Sequence, residues 1–251
     1  MSGHSKWSTI KRKKGAQDAK RGALFSKLIK EITVAARTGG EDIGSNPRLR
    51  TAVAKAKENN MPNDNIERAI KKGSGALGDV VYEEIRYEGF GPGGVAIMVD
   101  CLTDNKNRTT PEIRTLFSKH GGNLGETGSV SYLFERKGLL IVEGGETSEE
   151  ELIEILIDYG VEDLKTEDKN IIITTEPESY NDVYDIIKRK GISLVFGEIT
   201  QIPKTTIKLD EKKAVQCLNL VEHLENQDDA QNVYSNYDIP DDILKKIGEE
   251  Q

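Results

Sequence analysis

Ten lysines and arginines stand among the first 40 residues, against two acids, Asp18 and Glu31. They are Lys6, Lys11, Arg12, Lys13, Lys14, Lys20, Arg21, Lys27, Lys30 and Arg37. Cations at this density neutralise phosphates and release the counterions those phosphates hold, so affinity falls steeply as salt rises. The sole tryptophan, Trp7, lies between Lys6 and the run from Lys11 to Lys14. An indole there either stacks on an unpaired base or staples the segment to a neighbouring helix. His4 adds a ring suited to a phosphate or base contact. The candidate nucleic-acid contacts are therefore His4, Lys6, Trp7, Lys11, Arg12, Lys13, Lys14, Lys20, Arg21, Lys27 and Arg37. They specify nucleic acid as a class and leave DNA and RNA unseparated.

Other chemistry finds no constellation. The histidines are His4, His120 and His223, with no HExxH or paired-cysteine spacing around them. Cys101 and Cys217 are far apart in the chain and read as small buried hydrophobes. No catalytic residue, metal, cofactor or small-molecule substrate is expected. The run Gly89-Phe90-Gly91-Pro92-Gly93-Gly94 looks like a phosphate loop, but a strand pattern follows it rather than a helix, which favours a hairpin turn. The loop from Gly121 to Gly128 reads either as a contact loop, with Gly121, Gly122, Asn123 and Gly125 as its candidate residues, or as an ordinary helix-to-strand connection. Glu149, Glu150, Glu151 and Glu154 fall at a helix start, where the dipole favours carboxylates, and read as a solvated face.

Charge is divided along the chain. Its net value is −8, yet residues 1–72 hold 17 Lys/Arg against 7 Asp/Glu, leaving 18 against 36 for the remainder. A basic module carried by acidic domains is the implied organisation. No apolar run approaches a membrane span and no signal-peptide core precedes the cations, so a cytoplasmic location without membrane contact is expected.

Residues 1–17 lack a helical apolar period and read as an arm. From Asp18 to Arg37, Leu24, Leu28 and Ile32 recur every four residues with Phe25, Ile29 and Ala36 beside them, which predicts a helix ending at Gly39-Gly40. Asn46-Pro47 opens a second helix as cap and first turn, and it stops before Met61-Pro62. A third helix carries Ile66, Ala69 and Ile70, and residues 73–79 read as a flexible linker. The period then turns to two: Val80–Glu88 and Gly94–Thr103 are strand-like. Thr109-x-x-Glu112 reads as a capping box for a helix bearing Ile113, Leu116, Phe117 and His120, and Val130–Arg136 as a third strand. Residues 138–203 show the order βαββαβ of a ferredoxin-like sandwich. A helix capped by Asp210 and a strand near Val233–Ile239 supply the αβ that residues 80–137 lack. The expected fold is α+β and multidomain: a basic arm with a three-helix domain (1–78), a split α+β domain (79–137 with 204–251), and a ferredoxin-like domain inserted into it (138–203).

Several segments resemble the YebC/PmpR family. Among them are Gly3-His4-Ser5-Lys6-Trp7, Gln17-Asp18-Ala19-Lys20-Arg21-Gly22, Asn46-Pro47-Arg48-Leu49-Arg50, Glu67-Arg68-Ala69-Ile70-Lys71-Lys72-Gly73, Gly91-Pro92-Gly93-Gly94-Val95-Ala96, Leu102-Thr103-Asp104-Asn105 and Gln231-Asn232-Val233-Tyr234. The resemblance covers nearly the whole chain in order, with mild departures at Ser2, Phe90 and Tyr132. It implies three domains and one of two roles: a DNA-binding transcriptional regulator, or a translation activator that eases elongation at stalling sequences such as proline runs. The sequence shows no helix-turn-helix, zinc finger or basic zipper that would present side chains to a major groove, which favours rRNA and the ribosome over promoter DNA. A protein-interaction adaptor using the acidic domains is a further alternative.

Overall fold

The computed structural model of the chain describes residues 21–77, 81–145, 147–167 and 169–249. These residues form two compact units. One contains the described residues up to Val130 together with Leu209–Ser235; the other contains Ser131–Lys208 and the chain from Asn236 onward.

The first unit opens with three helices, α1 (Arg21–Gly39), α2 (Pro47–Glu58) and α3 (Asn63–Gly73). Their apolar stripes meet in a core of Leu28, Ile32, Leu49, Val53, Met61 and Ile66, filled out by small alanines. Asn46 fastens two of these helices with one side chain. Its Oδ1 accepts from Leu49 N at 3.0 Å, capping α2, while Nδ2 donates to the carbonyls of Ala35 and Gly40 at 2.8 and 2.7 Å. A Cβ at Gly39 would sit 2.6 Å from that amide, which is why the end of α1 is bare. The expected linker begins later than the glycines imply. Gly73 is buried in α3, and a Cβ there would stand 2.4 Å from the Thr33 carbonyl and 2.8 Å from Ala36 Cβ. Its composition resembles a linker, but its bareness serves a close helix crossing.

A four-stranded sheet completes this unit. Strand β1 (Glu83–Phe90) pairs antiparallel with β2 (Ala96–Thr103) around the turn Pro92–Gly94, whose Gly93 and Gly94 both have positive φ. Helix α4 (Lys106–Lys119) follows and leads to the short β3 (Asn123–Leu124), which pairs with β1. The expected capping box at Thr109 is replaced by Asn105, whose side chain accepts from Arg108 N at 3.1 Å. Pro111 consequently lies inside the helix rather than in its first turn. After the excursion through the second unit, α7 (Glu211–Glu225), capped by Asp210, and β9 (Ala230–Ser235) return to this unit. There β9 pairs with β2, giving the strand order β3-β1-β2-β9. The expected third strand over Val130–Arg136 does not form there. Ser131–Leu133 is a 3-10 turn, and Phe134 begins a strand of the other unit.

That second unit is a ferredoxin-like sandwich. Its strands are β4 (Phe134–Glu143), β5 (Val161–Glu167), β6 (Asn170–Thr175) and β7 (Leu194–Pro203), all antiparallel and ordered β5-β6-β4-β7. Helices α5 (Glu149–Leu156) and α6 (Tyr180–Arg189) pack Leu152, Leu156, Val183 and Ile187 against Leu140, Val142 and Ile173. Ser148 and Glu151 form the reciprocal capping box that the sequence predicts. The expected strand to Ile239 ends at Ser235. Tyr237–Asp238 (β10) instead pairs in parallel with β8 (Ile207–Lys208), and a helix without a predicted counterpart, α8 (Asp241–Glu249), follows. Among the described residues, no helix is long and apolar enough to cross a membrane.

Candidate nucleic-acid interface

The predicted contacts His4, Lys6, Trp7, Lys11, Arg12, Lys13, Lys14 and Lys20 lie outside the described residues. Arg21 opens α1. Arg37 is exposed in the last turn of that helix, beside an open depression of about 440 Å³ that Gly40, Glu41, Gly73 and Ser74 also line. Lys27 is placed differently. It is half-buried and its Nζ donates to the Glu225 carbonyl at 2.6 Å, so α1 uses this cation inside the unit.

One turn further on, Lys30 completes a polar knot that the sequence does not advertise. Its Nζ donates to the Asp228 carbonyl at 2.9 Å and to Asp229 Oδ1 at 2.7 Å. Asp229 is 1% exposed, and its other oxygen accepts from Arg108 Nη2 at 2.8 Å and Thr109 Oγ1 at 2.7 Å. Thr109 Oγ1 also lies 2.8 Å from Thr103 Oγ1, which in turn accepts from Asn105 N. Burial pushes the Asp229 carboxyl up, but the bonds from Arg108, Lys30 and Thr109 together outweigh it and hold the group well below the usual carboxylate range. Arg48 adds a second tie, reaching Glu31 at 2.7 Å on α1 and Glu84 at 2.6 Å on β1. The cationic helix is thereby clamped to the sheet that follows it. Each half carries a local mark, the i, i+3 spacing of Lys27 and Lys30 on one side of an amphipathic helix and the acidic pair Asp228-Asp229 immediately before a strand, but nothing local pairs the two.

Cations pointing outward remain on the helical part. Lys57, Arg68 and Lys71 are exposed, and Lys72 lies 5.8 Å from the ring centre of Tyr82.

The predicted contact loop is firmly held. The Gly125 amide donates to the Glu88 carbonyl at 2.8 Å. The buried Glu88 carboxylate accepts from Gly128 N at 2.9 Å and Val130 N at 2.8 Å. Gly121 has φ +75 at an exposed turn, Asn123 is exposed in β3, and Gly122 is bare because a Cβ would meet the Phe90 carbonyl at 2.7 Å. Glu126, Thr127 and Gly128 form the exposed tip.

His120 terminates α4 and its ring lies 4.2 Å from that of His223 on α7. Burial, then the neighbouring His223 and Lys119, hold the His120 imidazole below its ordinary pKa. Cys101 is buried, and desolvation pushes its thiol up to about 12, which leaves it protonated and unreactive at neutral pH. Among the described residues, no three His, Cys, Asp or Glu side chains converge in a way that would hold a metal ion.

Two family models match the sequence: the TACO1/YebC protein N-terminal domain over residues 5–76, and the TACO1/YebC second and third domain over residues 82–237. A relative from Syntrophus aciditrophicus (strain SB), called a probable transcriptional regulatory protein, is 54% identical over 248 residues, covering 98% of this chain and 99% of its own. A protein of the same name from Dictyoglomus turgidum is 51% identical over 248 residues, covering 98% of this chain and 100% of its own. The crystal structure of a conserved hypothetical protein, Aq1575 from Aquifex aeolicus, superposes with a TM-score of 0.80 at 51% identity, covering 92% of this chain and 95% of that one.

Proposed function

The chain belongs to the TACO1/YebC family, and from that premise we propose that it is a non-enzymatic, nucleic-acid-binding regulator of gene expression that acts on ribosomal RNA. In this reading it eases elongation at stalling sequences such as proline runs. The observation that carries the proposal is the division of charge: 17 Lys/Arg against 7 Asp/Glu in residues 1–72, ahead of 18 against 36 in the rest. A cationic front on an anionic body is drawn to phosphate while the body is repelled by it, which orients the approach. The clamp through Lys30, Asp229 and Arg48 supports this reading, because it sets the helical domain at a defined place on its sheet. Lys6, Lys11, Arg12, Lys13, Lys14, Lys20, Arg21 and Arg37 would meet phosphates and Trp7 an unpaired base, with the pinned loop at Gly121–Gly125 as a secondary contact.

A second reading, regulation of transcription at promoter DNA, draws on the names of the relatives. It also draws on α2 and α3, two helices joined by a four-residue turn in which Asn60 has φ +56. That is the connection a helix-turn-helix uses. The start of α3 opposes it: Asp64 and Glu67 occupy the turns that a recognition helix aims at a phosphate-lined groove.

The test is a charge reversal of Lys11, Arg12, Lys13 and Lys14 to glutamate. Crosslinking in cells, followed by sequencing of the attached nucleic acid, should show wild-type enrichment on rRNA that the variant loses. Enrichment of one class of promoter DNA instead would establish the second reading, and unchanged association of the variant with either would end both.

A further inference from the structure

The two glycine clusters that are separate in sequence lie side by side in the first unit. A Cβ at Gly122 would stand 2.7 Å from the Phe90 carbonyl, and one at Gly121 would stand 3.8 Å from Pro92 Cγ. Between them, β1 and β3 place Phe90 directly opposite Asn123. Alternation along β1 sets the face these residues occupy. Tyr87 meets Thr110 of α4 at 2.7 Å, and the bare side of Gly89 faces Phe117 of the same helix. Residues 88 and 90 therefore turn to the face away from α4. Glu88 is buried there beneath the 125–130 loop, whereas Phe90 is 39% exposed and Asn123 is exposed beside it. Directly opposed residues of an antiparallel pair share a face with their side chains adjacent.

We propose that Phe90 and Asn123 form a platform for one unpaired base of single-stranded RNA, a contact separate from the basic arm. An aromatic ring supplies a stacking surface that every base can use, and an adjacent amide supplies a donor and an acceptor for a base edge. The exposed Gly93, Gly94 and Gly121 bear no side chains that would screen the ring. Their backbone is fixed by the Gly91 N to Val95 O bond at 2.7 Å and the Gly122 N to Phe117 O bond at 2.8 Å. A lone exposed phenylalanine is ordinary on a protein surface. An exposed ring with an amide on its own face and bare backbone on either side matches the chemistry of a nucleobase.

This proposal deepens the reading of the protein as an RNA binder, and the test separates the two. Full-length protein is titrated against a labelled uridine decamer and against a duplex RNA of equal length, with anisotropy as the readout. Phe90→Ala should weaken decamer binding by roughly tenfold, leave duplex binding unchanged, and leave the slope of log affinity against log salt unchanged. Phe90→Trp should restore affinity. Asn123→Ala should change the preference between uridine and adenosine decamers. Thermal melting of each variant verifies the fold, and recovery in Phe90→Trp distinguishes lost stacking from lost structure. If Phe90→Ala binds the decamer as wild type does, or weakens decamer and duplex alike, the platform is refuted while the arm stands or falls on its own charge reversals. If those reversals change nothing and Phe90→Ala still weakens binding, the arm reading fails and the platform survives. A wild-type chain that binds neither RNA overturns both.

Discussion

The two four-stranded sheets among the described residues are held by different forces. The ferredoxin-like sandwich is mainly an apolar construction: Leu140, Val142, Leu152, Leu156, Ile173 and Ile187 meet between sheet and helices, Lys137 pairs with Glu162 and Glu176 toward the outside, and its one buried carboxylate among the described residues, Glu167, has a single cationic partner, Lys165. The other sheet has an apolar core as well, but buried carboxylates organise its periphery. Asp229 gathers Lys30, Arg108 and Thr109, while Glu88 pins Gly128 and Val130. Apolar cores tolerate substitution as long as volume is kept. A buried charge surrounded by matched donors does not, because removing one member leaves the others desolvated and unpaired. The difference locates the part of the protein in which geometry, rather than compactness alone, is maintained.

This contrast predicts a ranking of effects. Asp229→Asn should be the most damaging single change, costing about 4 kcal/mol in urea unfolding because Lys30 and Thr109 are left around a neutral group. A loss no larger than that of an ordinary surface substitution would show that the knot is incidental. Leu140→Ala in the sandwich should cost about 3 kcal/mol through the lost apolar group and the cavity left behind, and exchange to methionine should recover most of it. Gly73→Ala should cost about 2 kcal/mol by forcing α1 and α3 apart, with hydrogen exchange rising in those helices and not in β4 to β7.

Acid should act on the first unit in two windows. His120 is held below its ordinary pKa of 6.5. The unfolded chain therefore takes up the proton first, and stability that is complete above pH 6.5 declines as pH falls below it. His120→Asn should flatten that decline. Asp229 is also held below its ordinary value of 3.8, so its contribution persists through that first window and is lost only as pH falls below about 4. Urea midpoints measured from about pH 7 to about pH 3 should resolve the two steps, and Asp229→Asn should abolish the lower one alone.

The sandwich is the more legible half. Its central strands are short continuous apolar runs, Leu139–Val142 and Ile171–Ile173, its helices carry Ser148 and Gly191 as boundary marks, and each connection is local, so apolar patterning and capping are enough to order the elements. Asn46-Pro47 is equally readable, since cap and first turn are adjacent residues. The knot is not, because Lys30 and Asp229 are 199 residues apart and no local rule joins them. Lys27 shows the same limit: its cation resembles those of the arm in type and spacing, and its inward placement follows only from where Glu225 arrives. Thr109 presents the pattern of a helix cap, yet Asn105 already satisfies the first-turn amide, which leaves the threonine hydroxyl to Asp229. At the candidate interface, the arm is conspicuous by composition, whereas the Phe90–Asn123 pairing depends on a two-residue strand too short to announce itself.

The pairing of β2 with β9 sets Met98 against Tyr234, so a sheet begun early in the chain is finished by a strand made much later. During synthesis, the growing polypeptide carries β2 with one side unfilled while all of residues 131–208 emerge. The sandwich closes on local partners and can reach its native form in that interval, ahead of the sheet it interrupts. The Arg48 tie between α1 and β1 can form early, whereas the knot at Asp229 waits until all of residues 131–208 have emerged, so the cationic helix is fixed to its sheet in two stages.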